Sequence, residues 1–305
     1  MTRRRRSLLD DGTRRDTVLF QTSGITKGEL VDYYTRVAER MLPHLRERPL
    51  VLQLFPDGTD AEGFYQKQVG RHFPDWLSTV CVELRTSRAR QELVVCNTPE
   101  TLTYLAEQAC IALHPWLSRR DRIDQPDRLV IDLDPPRGNF EAARTTALCV
   151  RALFDELELA SFPKLTGARG VHVVVPLQRG ADFARVRAFA RSAMELLAAR
   201  YPAALTTELD MNERRGRLYL DTARNAYAQT DIAPWSVRPL PDAPVAAPVR
   251  WRDLEHPGIG PHDYTLRNLF RRMARRSDPW GDLDKQAGSL EAAHERLAQR
   301  VGAGL

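Results

Sequence analysis

Cysteine is scarce in this chain of 305 residues, and no two cysteines have the CxxC spacing of a metal-binding or redox pair. Disulfide frameworks and structural zinc sites need several cysteines at short intervals. The cysteines of this chain lie far apart in the sequence, at Cys81, Cys96, Cys110 and Cys149. We therefore predict that they are reduced thiols that occupy structural positions in the core.

Long apolar runs are also missing. No segment approaches the roughly 20 residues that a membrane-spanning helix needs. The first residues, Met1-Thr-Arg-Arg-Arg-Arg6, lack the apolar centre of a signal peptide. We expect a soluble, cytoplasmic protein with no membrane partner.

Lysine is rare among the 45 basic residues, which are overwhelmingly arginine, and the net charge is +5. Arginine favours the recognition of phosphate groups. The arginines cluster at residues 3–6, at Arg14 and Arg15, and at Arg267, Arg271, Arg272, Arg275 and Arg276. Such clusters are also typical of solvated tails and surfaces, so charge alone leaves nucleic-acid binding open.

Helical and strand patterns alternate along the chain. Thr26-Lys-Gly-Glu29 is a capping box, which predicts a helix that continues to about Leu45. Short strands and turns follow over 50–97, and a second helix is predicted from Pro99 to Leu113. The later pattern alternates in the order strand 128–134, helix 140–159, strand 170–177, helix 181–200 and strand 216–221. Residues 234–261 are rich in proline and are expected to be irregular, and the remainder is expected to be helical. This order predicts an α/β core.

Two aspartates stand at the end of the strand Arg128-Leu-Val-Ile-Asp-Leu-Asp134. Side chains at positions i and i+2 of a strand point to the same face, so Asp132 and Asp134 share one small volume. A divalent cation such as Mg²⁺ or Mn²⁺ offsets the repulsion between two carboxylates by binding both. The pair therefore favours a metal site, although aspartates at a strand end also cap turns.

A third aspartate, Asp221, ends a later strand, and together the three carboxylates are typical of a two-metal site. The loop Lys164-Leu-Thr-Gly-Ala-Arg-Gly170 precedes the strand that carries His172. Its glycines let the backbone approach a ligand, and Thr166, Arg169 and His172 supply donors, which is the chemistry of a phosphate-binding loop. A Walker ending is absent. Taken singly, His172 is also compatible with a core histidine.

These motifs, in this order, resemble the polymerase domain of bacterial DNA ligase D and its stand-alone relatives, in the archaeo-eukaryotic primase superfamily. The resemblance extends from about Val18 to Leu254. The motifs on which the resemblance rests are Gly24-Ile-Thr-Lys27, Asp32-Tyr-Tyr34, Arg48-Pro49, Pro56-Asp-Gly58, Phe64-Tyr-Gln-Lys67, Leu113-His-Pro-Trp116, Asp132-Leu-Asp-Pro135, Gly167 to His172, and Asp221 through Asn225 to Ala233-Pro-Trp-Ser-Val-Arg238. The resemblance implies a palm-like catalytic sheet flanked by helices, with an N-terminal α/β subdomain.

The resemblance also implies an activity: transfer of nucleotides, with ribonucleotides preferred, to a primer 3′-hydroxyl in gap filling or non-homologous end joining. Two divalent cations, Mn²⁺ or Mg²⁺, would be held by Asp132, Asp134 and Asp221. The nucleotide-binding residues that it implies are His114, Thr166, Arg169, His172 and Arg238. Thr166 and Arg169 stand where relatives have serine and lysine, which alters the donor geometry toward a triphosphate.

Contacts with DNA are implied for Lys27, Arg14, Arg15, Phe64, Tyr65, Lys67, Arg214 and Arg224. Phe64 and Tyr65 are positioned to stack on a base, although either is also compatible with a core position. Of the two lysines that relatives use for a downstream 5′-phosphate, Lys27 is present and Thr17 replaces the other. Recognition of that phosphate would then depend on Arg14 or Arg15.

The expected organisation is a basic, disordered tail over 1–15, one catalytic domain over 16–280 and a helical tail over 281–305. The domain would comprise an N-terminal half at 16–118, a metal-binding half at 119–255 and a helical end at 256–280. Expected partners are gapped or broken DNA, nucleoside triphosphates, the end-binding protein Ku and a separate ATP-dependent DNA ligase, at the bacterial nucleoid. Three alternatives stay open: a primer-synthesising primase, a glycosyltransferase that uses the D-x-D pair, and a catalytically idle DNA-repair module.

Overall fold

The computed structural model describes residues 14–85, 87–135, 138–274 and 277–302. The predicted disordered tail therefore lies outside the described residues, except for Arg14 and Arg15. Arg275 and Arg276 of the C-terminal arginine cluster also lie outside them. Within the described ranges, no helix is long and apolar enough to cross a membrane.

The first half of the chain folds around an antiparallel sheet. Its elements are β1 (Val18–Phe20), β2 (Ile25–Thr26), α1 (Lys27–Leu45), β3 (Pro49–Leu54), β4 (Phe64–Gln66), β5 (Thr79–Glu83), β6 (Arg90–Val95), α2 (Pro99–Glu107) and β7 (Cys110–Pro115). The strand order is β4-β3-β6-β5, and β7 also pairs with β3. Helix α1 begins as predicted, because the Thr26 hydroxyl accepts from Glu29 N and the Glu29 carboxylate accepts from Thr26 N.

The prediction of a second helix from Pro99 to Leu113 is wrong at its C-terminal end. The helix begins at Pro99 but ends at Glu107, and the backbone turns through Ala109 with a φ of 58°. The run from Cys110 to Pro115 is a strand that pairs with β3 along its length. Periodicity cannot tell a short apolar run in a buried strand from one in a helix, and here pairing with β3 decides the conformation.

The second half of the chain is built on a three-stranded sheet with helices on one face. Its elements are β8 (Arg128–Leu133), α3 (Phe140–Glu156), β9 (Phe162–Leu165), β10 (Val171–Pro176), α4 (Phe183–Arg200), β11 (Leu205–Thr206), β12 (Leu218–Tyr219), α5 (Trp251–Glu255), α6 (Leu269–Met273) and α7 (Leu290–Gly302). The strand order is β8-β10-β9, with both pairs antiparallel. These elements confirm the predicted mixed α/β architecture.

Two details of the second half differ from the sequence prediction. The strand predicted over 216–221 contains only Leu218–Tyr219, which pair in parallel with β11. Lys164 and Leu165, predicted as the start of the glycine-containing loop, are the end of strand β9 and pair with β10 at the edge of the sheet. Asp221 nevertheless lies beside β8, because Asp132 and Asp221 form an isolated antiparallel bridge.

The two faces of the β8-β10-β9 sheet differ in chemistry. One face carries Leu129, Ile131 and Leu133 of β8 and packs on α3 and α4 in a fully apolar core. The other face is apolar at one end, where Val130 and Val174 pack with Trp280. At its opposite end that face carries polar side chains. The fold thus places a row of polar side chains at one end of a sheet face that is otherwise apolar.

The segment 281–305, predicted as a helical tail, buries apolar residues against the second half of the chain. Leu290, Ala293 and Leu297 of α7 contribute to the same core as α3 and α4. The division of the chain into one catalytic domain with a tail at each end stays a prediction.

Two of the four cysteines occupy the predicted core positions. The cysteine thiols are free, and Cys96 and Cys110 are buried. Cys149 is partly buried, whereas Cys81 is exposed and contradicts the prediction. Cys81 lies on β5, where alternation along the strand directs Val82 to the core and Cys81 to solvent.

Candidate active site

The register of the catalytic sheet aligns the polar side chains in one row. His172 of β10 lies directly opposite Asp132 of β8 on one side and Lys164 of β9 on the other. Asp221 continues the row beyond β8, because its backbone N–H and carbonyl both bond to Asp132, with N–O distances of 3.2 and 3.0 Å. Paired residues on neighbouring strands project to the same face. Residues distant in the sequence therefore converge through backbone pairing.

Asp132, which lies on β8, is the most buried carboxylate of this row. Its Oδ1 lies 3.2 Å from His172 Nε2, and its Oδ2 accepts from Arg224 Nε at 3.2 Å. Although burial alone would raise the pKa of Asp132, His172 and Arg224 hold it below its usual value. The carboxylate is therefore ionised and available as an oxygen ligand.

Asp134 shares the cavity with Asp132 but is about half exposed. Burial and the negative charge of Asp132 raise the pKa of Asp134. Arg169 Nη2 lies 3.5 Å from its Oδ2 and partly offsets this repulsion. The two adjacent carboxylates supply oxygen donors of the kind that a divalent metal prefers.

Gly170 brings the loop predicted to bind phosphate against the end of β8. A Cβ at Gly170 would overlap the Leu133 carbonyl oxygen and lie 2.8 Å from Asp134 Oδ1. Gly167 has a φ of 65°, and a Cβ there would lie 2.9 Å from Arg238 Cγ. Both positions therefore require glycine for close approach, and the loop is fixed beside the carboxylates. Thr166 is engaged within the loop, where its hydroxyl donates to the Gly170 carbonyl.

The backbone of Asp221 pairs with that of Asp132, whereas the Asp221 carboxylate forms a hydrogen bond within its own turn. Its Oδ1 accepts from Ala223 N at 2.7 Å, which closes the turn that carries Arg224. In the described ranges, no three histidine, cysteine, aspartate or glutamate side chains are gathered closely enough to hold a metal ion. The structure thus places two carboxylates in the cavity and the third beside it.

The carboxylates open into a cavity of about 400 Å³, a volume typical of small-molecule sites. The predicted residues that line it are Asp132, Asp134, His114, Thr166, His172, Arg238, Tyr65, Lys67 and Arg224. A second cavity, of about 430 Å³, lies between the loop after β10 and α7. Its Arg179 is engaged by Asp121 at 2.6 Å, and none of the predicted site residues lines that cavity.

Besides the carboxylates, nitrogen groups of Arg238 and His114 line the cavity. In the described part of the chain, Arg238 Nε and His114 Nε2 are buried and make no hydrogen bond. Burial and the charge of Arg238 lower the pKa of His114 to about 3, so this imidazole is neutral. Buried polar atoms are normally paired, so these two indicate a ligand with acceptor atoms.

The predicted DNA-binding residues fall into three places. Phe64 and Tyr65 are both about half exposed on β4, and the Tyr65 ring meets the His114 ring at 5.7 Å, beside the cavity. Arg14, Arg15 and Lys27 lie together around the start of α1, where Arg15 pairs with Asp32.

Arg214 lies in a third place, on the loop before β12. Its guanidinium covers the Tyr219 ring at 4.0 Å and donates to the carbonyls of Glu208 and Leu209. Lys67 and Arg224, like Tyr65, line the cavity itself.

Sequence reasoning missed Asp231. This carboxylate is buried and contacts Lys164 Nζ at 2.5 Å and His172 Nδ1 at 2.6 Å. Although burial opposes it, the charges of Lys164 and His172 hold the pKa of Asp231 well below its usual range. The two flanking carboxylates, Asp231 and Asp132, overcome burial and raise the pKa of His172 to about 9. Asp231 directly follows Gln229 and Thr230, so no pattern in the sequence distinguished it.

Comparisons with known proteins show the family of the chain. The family described as "LigD, primase-polymerase domain" matches residues 26–280, and the chain belongs to this family of nucleotidyltransferase domains. It is 33% identical over 279 residues to the multifunctional non-homologous end joining protein LigD of Mycolicibacterium smegmatis, covering 89% of this chain and 35% of that protein. It is 29% identical over 270 residues to the bifunctional protein LigD of Bacillus subtilis, covering 88% of this chain and 43% of that protein.

The fold is also that of a solved relative. The polymerase domain from Mycobacterium tuberculosis ligase D, in complex with DNA, superimposes with a TM-score of 0.84 at 29% identity. The match covers 90% of this chain and 98% of that one. The chain thus spans about a third to two fifths of the curated LigD proteins and nearly all of the solved polymerase domain. The expected family and fold are confirmed.

Proposed function

We propose that this chain adds nucleotides from triphosphates to the 3′-hydroxyl of a DNA primer, in gap filling or the joining of broken ends. The observation that carries the proposal is the cavity itself. It combines the Asp132 and Asp134 carboxylates with nitrogens of Arg238 and His114 that make no hydrogen bond among the described residues. A metal-bound triphosphate has the complementary arrangement, with cations on one side and free phosphate oxygens on the other.

Asp132 and Asp134 would hold divalent cations, Mn²⁺ or Mg²⁺, and Asp221 would complete a two-metal site. Their hard oxygen donors fit these ions, and Asp132 Oδ1 makes no well-formed hydrogen bond among the described residues. When bound, the metals lower the pKa of the attacking hydroxyl and neutralise charge on the leaving pyrophosphate. Asp221 can join once its carboxylate leaves the Ala223 N–H, which is a side-chain rotation.

The nucleotide would lie between the two walls of the cavity. Arg238 and Arg169 supply charged donors to the triphosphate, and Thr166 and His172 fix the adjoining loop and strand. His114, which is neutral, can donate from one ring nitrogen to a phosphate or sugar oxygen. We further propose that ribonucleotides are preferred.

The DNA would approach from the open side of the cavity, where Phe64 and Tyr65 are exposed. An exposed aromatic pair beside a nucleotide site can stack on unpaired bases of a template. Lys67 and Arg224 would contact the primer end and Arg214 its backbone, while Arg14, Arg15 and Lys27 would contact a downstream strand. Cooperation with Ku and an ATP-dependent ligase at the bacterial nucleoid belongs to the same proposal.

The test is extension of a labelled primer across a short gap. Reactions compare Mn²⁺, Mg²⁺ and a chelator, ribonucleotides and deoxyribonucleotides, and a downstream 5′-phosphate against a 5′-hydroxyl. We expect extension that needs the metal and is faster with ribonucleotides. Extension in excess chelator would contradict the metal role, and DNA binding without extension under any condition would favour the idle repair module. Products on a template without primer would show a primase.

A further inference from the structure

A line of four ionisable side chains connects the catalytic carboxylate to the protein interior. Lys164 is fully buried and pairs with one oxygen of Asp231 at 2.5 Å, while also donating to the Ile232 carbonyl. The other oxygen of Asp231 lies 2.6 Å from His172 Nδ1. On the far side of the ring, His172 Nε2 lies 3.2 Å from Asp132 Oδ1. Asp231 thus touches the site only through the histidine.

Stability does not explain this arrangement. Removing two charges from water is unfavourable, and a buried ion pair is often no more stabilising than an apolar pair of similar volume. Lys164 Nζ lies 5.9 Å from the centroid of the Trp280 ring, against which an apolar side chain at position 164 would also pack. A geometric role for the carboxylate accounts for the pair better.

The geometry of the imidazole shows what that role is. A histidine ring can turn about its Cβ–Cγ bond and exchange the directions of its polar edges, and a carboxylate on Nδ1 fixes one orientation. With Nδ1 held by Asp231, Nε2 must face Asp132 and the cavity. This holds whether or not the ring carries a second proton, because the contact of 2.6 Å between Nδ1 and Asp231 Oδ1 needs a proton only on Nδ1.

We propose that Asp231, held in place by Lys164, is a positioning residue that fixes the His172 ring and, through it, the Asp132 carboxylate. The inference rests on the proposed polymerase function and adds a residue pair to it. Lys164 prevents the Asp231 carboxylate from turning away from the histidine, since it engages the opposite oxygen. The Asp132 side of the cavity is therefore oriented by a residue pair in the protein interior.

Two double variants separate positioning from stability. Lys164→Met with Asp231→Leu replaces the ion pair by an apolar pair and removes the partner of Nδ1. Lys164→Gln with Asp231→Asn keeps an acceptor for Nδ1 and a donor at 164 without the charges. We expect both to unfold within a few degrees of the wild type, because neither leaves a lone buried charge.

Their activities should differ. For the apolar pair, we expect the kcat of primer extension to fall about 10- to 100-fold, the usual effect of removing a group that orients a ligand residue, with an unchanged KM for primer. The amide pair should recover most of that loss. In a His172→Ala background, the apolar pair should change kcat less than about twofold, because the effect passes through the ring.

A spectroscopic measurement gives a result that is independent of catalysis. The ring nitrogens of His172 are observed by ¹⁵N NMR in protein with labelled histidine, and the His172→Ala variant assigns them among the seven histidines. We expect the apolar pair to shift both nitrogens and the amide pair to shift them less. Unchanged His172 nitrogens, or an equal loss of kcat without His172, would overturn the proposal. If the wild type extends no primer, the polymerase function fails, and the NMR result still decides the role of Asp231.

Discussion

Replacing Arg238 by methionine should weaken nucleotide binding without weakening the fold. Arg238 is largely buried at the wall of the cavity, and its Nε makes no hydrogen bond in the described part of the chain. Burial lowers the pKa of this guanidinium, because its charge has lost hydration without gaining a full set of partners. A buried charge without a full set of partners destabilises the folded protein and favours binding of a ligand that supplies the missing partner.

The magnitude follows from the same observation. A hydrogen bond to a charged group contributes about 1.5–3 kcal/mol, so its loss should raise the KM for nucleotide about 10- to 150-fold. A buried polar atom without a partner costs about 1–3 kcal/mol in the folded state. Its removal should therefore leave the melting temperature unchanged or raise it by up to about 6 °C, at roughly 2 °C per kcal/mol for a chain of this size.

Steady-state primer extension and thermal unfolding of Arg238→Met measure both effects. Arg122→Met is the matched control, since Arg122 is exposed on a short turn and contacts Gln125 at 3.4 Å. The control should retain the wild-type KM and melting temperature. A clear fall in the melting temperature of Arg238→Met, with an unchanged KM for nucleotide, would show that this arginine is structural and would refute the reasoning.

Two further predictions concern stability. Asp127→Asn leaves the fully buried Arg48 without the carboxylate that it meets at 2.6 Å, so we expect the free energy of unfolding to fall by about 3–5 kcal/mol and the melting temperature by about 6–10 °C. The control Asp121→Asn changes an exposed pair and should alter the free energy of unfolding by less than about 1 kcal/mol. Equal losses of the two variants in thermal unfolding would contradict the prediction. His44 is buried, and burial with the charge of Arg128 holds its pKa well below 6.5. The unfolded chain binds a proton that the folded one does not, so the free energy of unfolding should fall by about 1.4 kcal/mol per pH unit below about pH 6.5. Denaturant titrations should show a slope smaller by that amount in His44→Gln, and an identical slope would show that His44 is charged in the fold.

Local signals in the sequence were sufficient where the determinants are local. The capping box at Thr26 and Glu29 fixes the start of α1, because both hydrogen bonds lie within four residues. The glycine pattern of the phosphate-binding loop, likewise, reflects close approaches at Gly167 and Gly170. The pairing of Asp132 with Asp134 needed only the alternation of a strand.

Features that depend on strand register could not be obtained in this way. The alignment of Asp132, His172 and Lys164 depends on which residues of three strands lie opposite one another. The partner of His172, Asp231, comes from an irregular segment with no periodic signal. The apolar run at the start of β7 fits a helix as well as a strand, so the sequence predicted a helix there. Its pairing with β3 decides for the strand.

Primer extension by the wild type and by Asp132→Ala, on gapped DNA with Mn²⁺, tests the central claim most directly. Asp132 is buried at the centre of the polar row, and loss of a metal ligand removes several kcal/mol of transition-state stabilisation. We predict efficient extension by the wild type and a rate at least about 10³-fold lower in the variant, with DNA binding retained. Equal extension rates in the two proteins would contradict a metal-dependent polymerase site at Asp132.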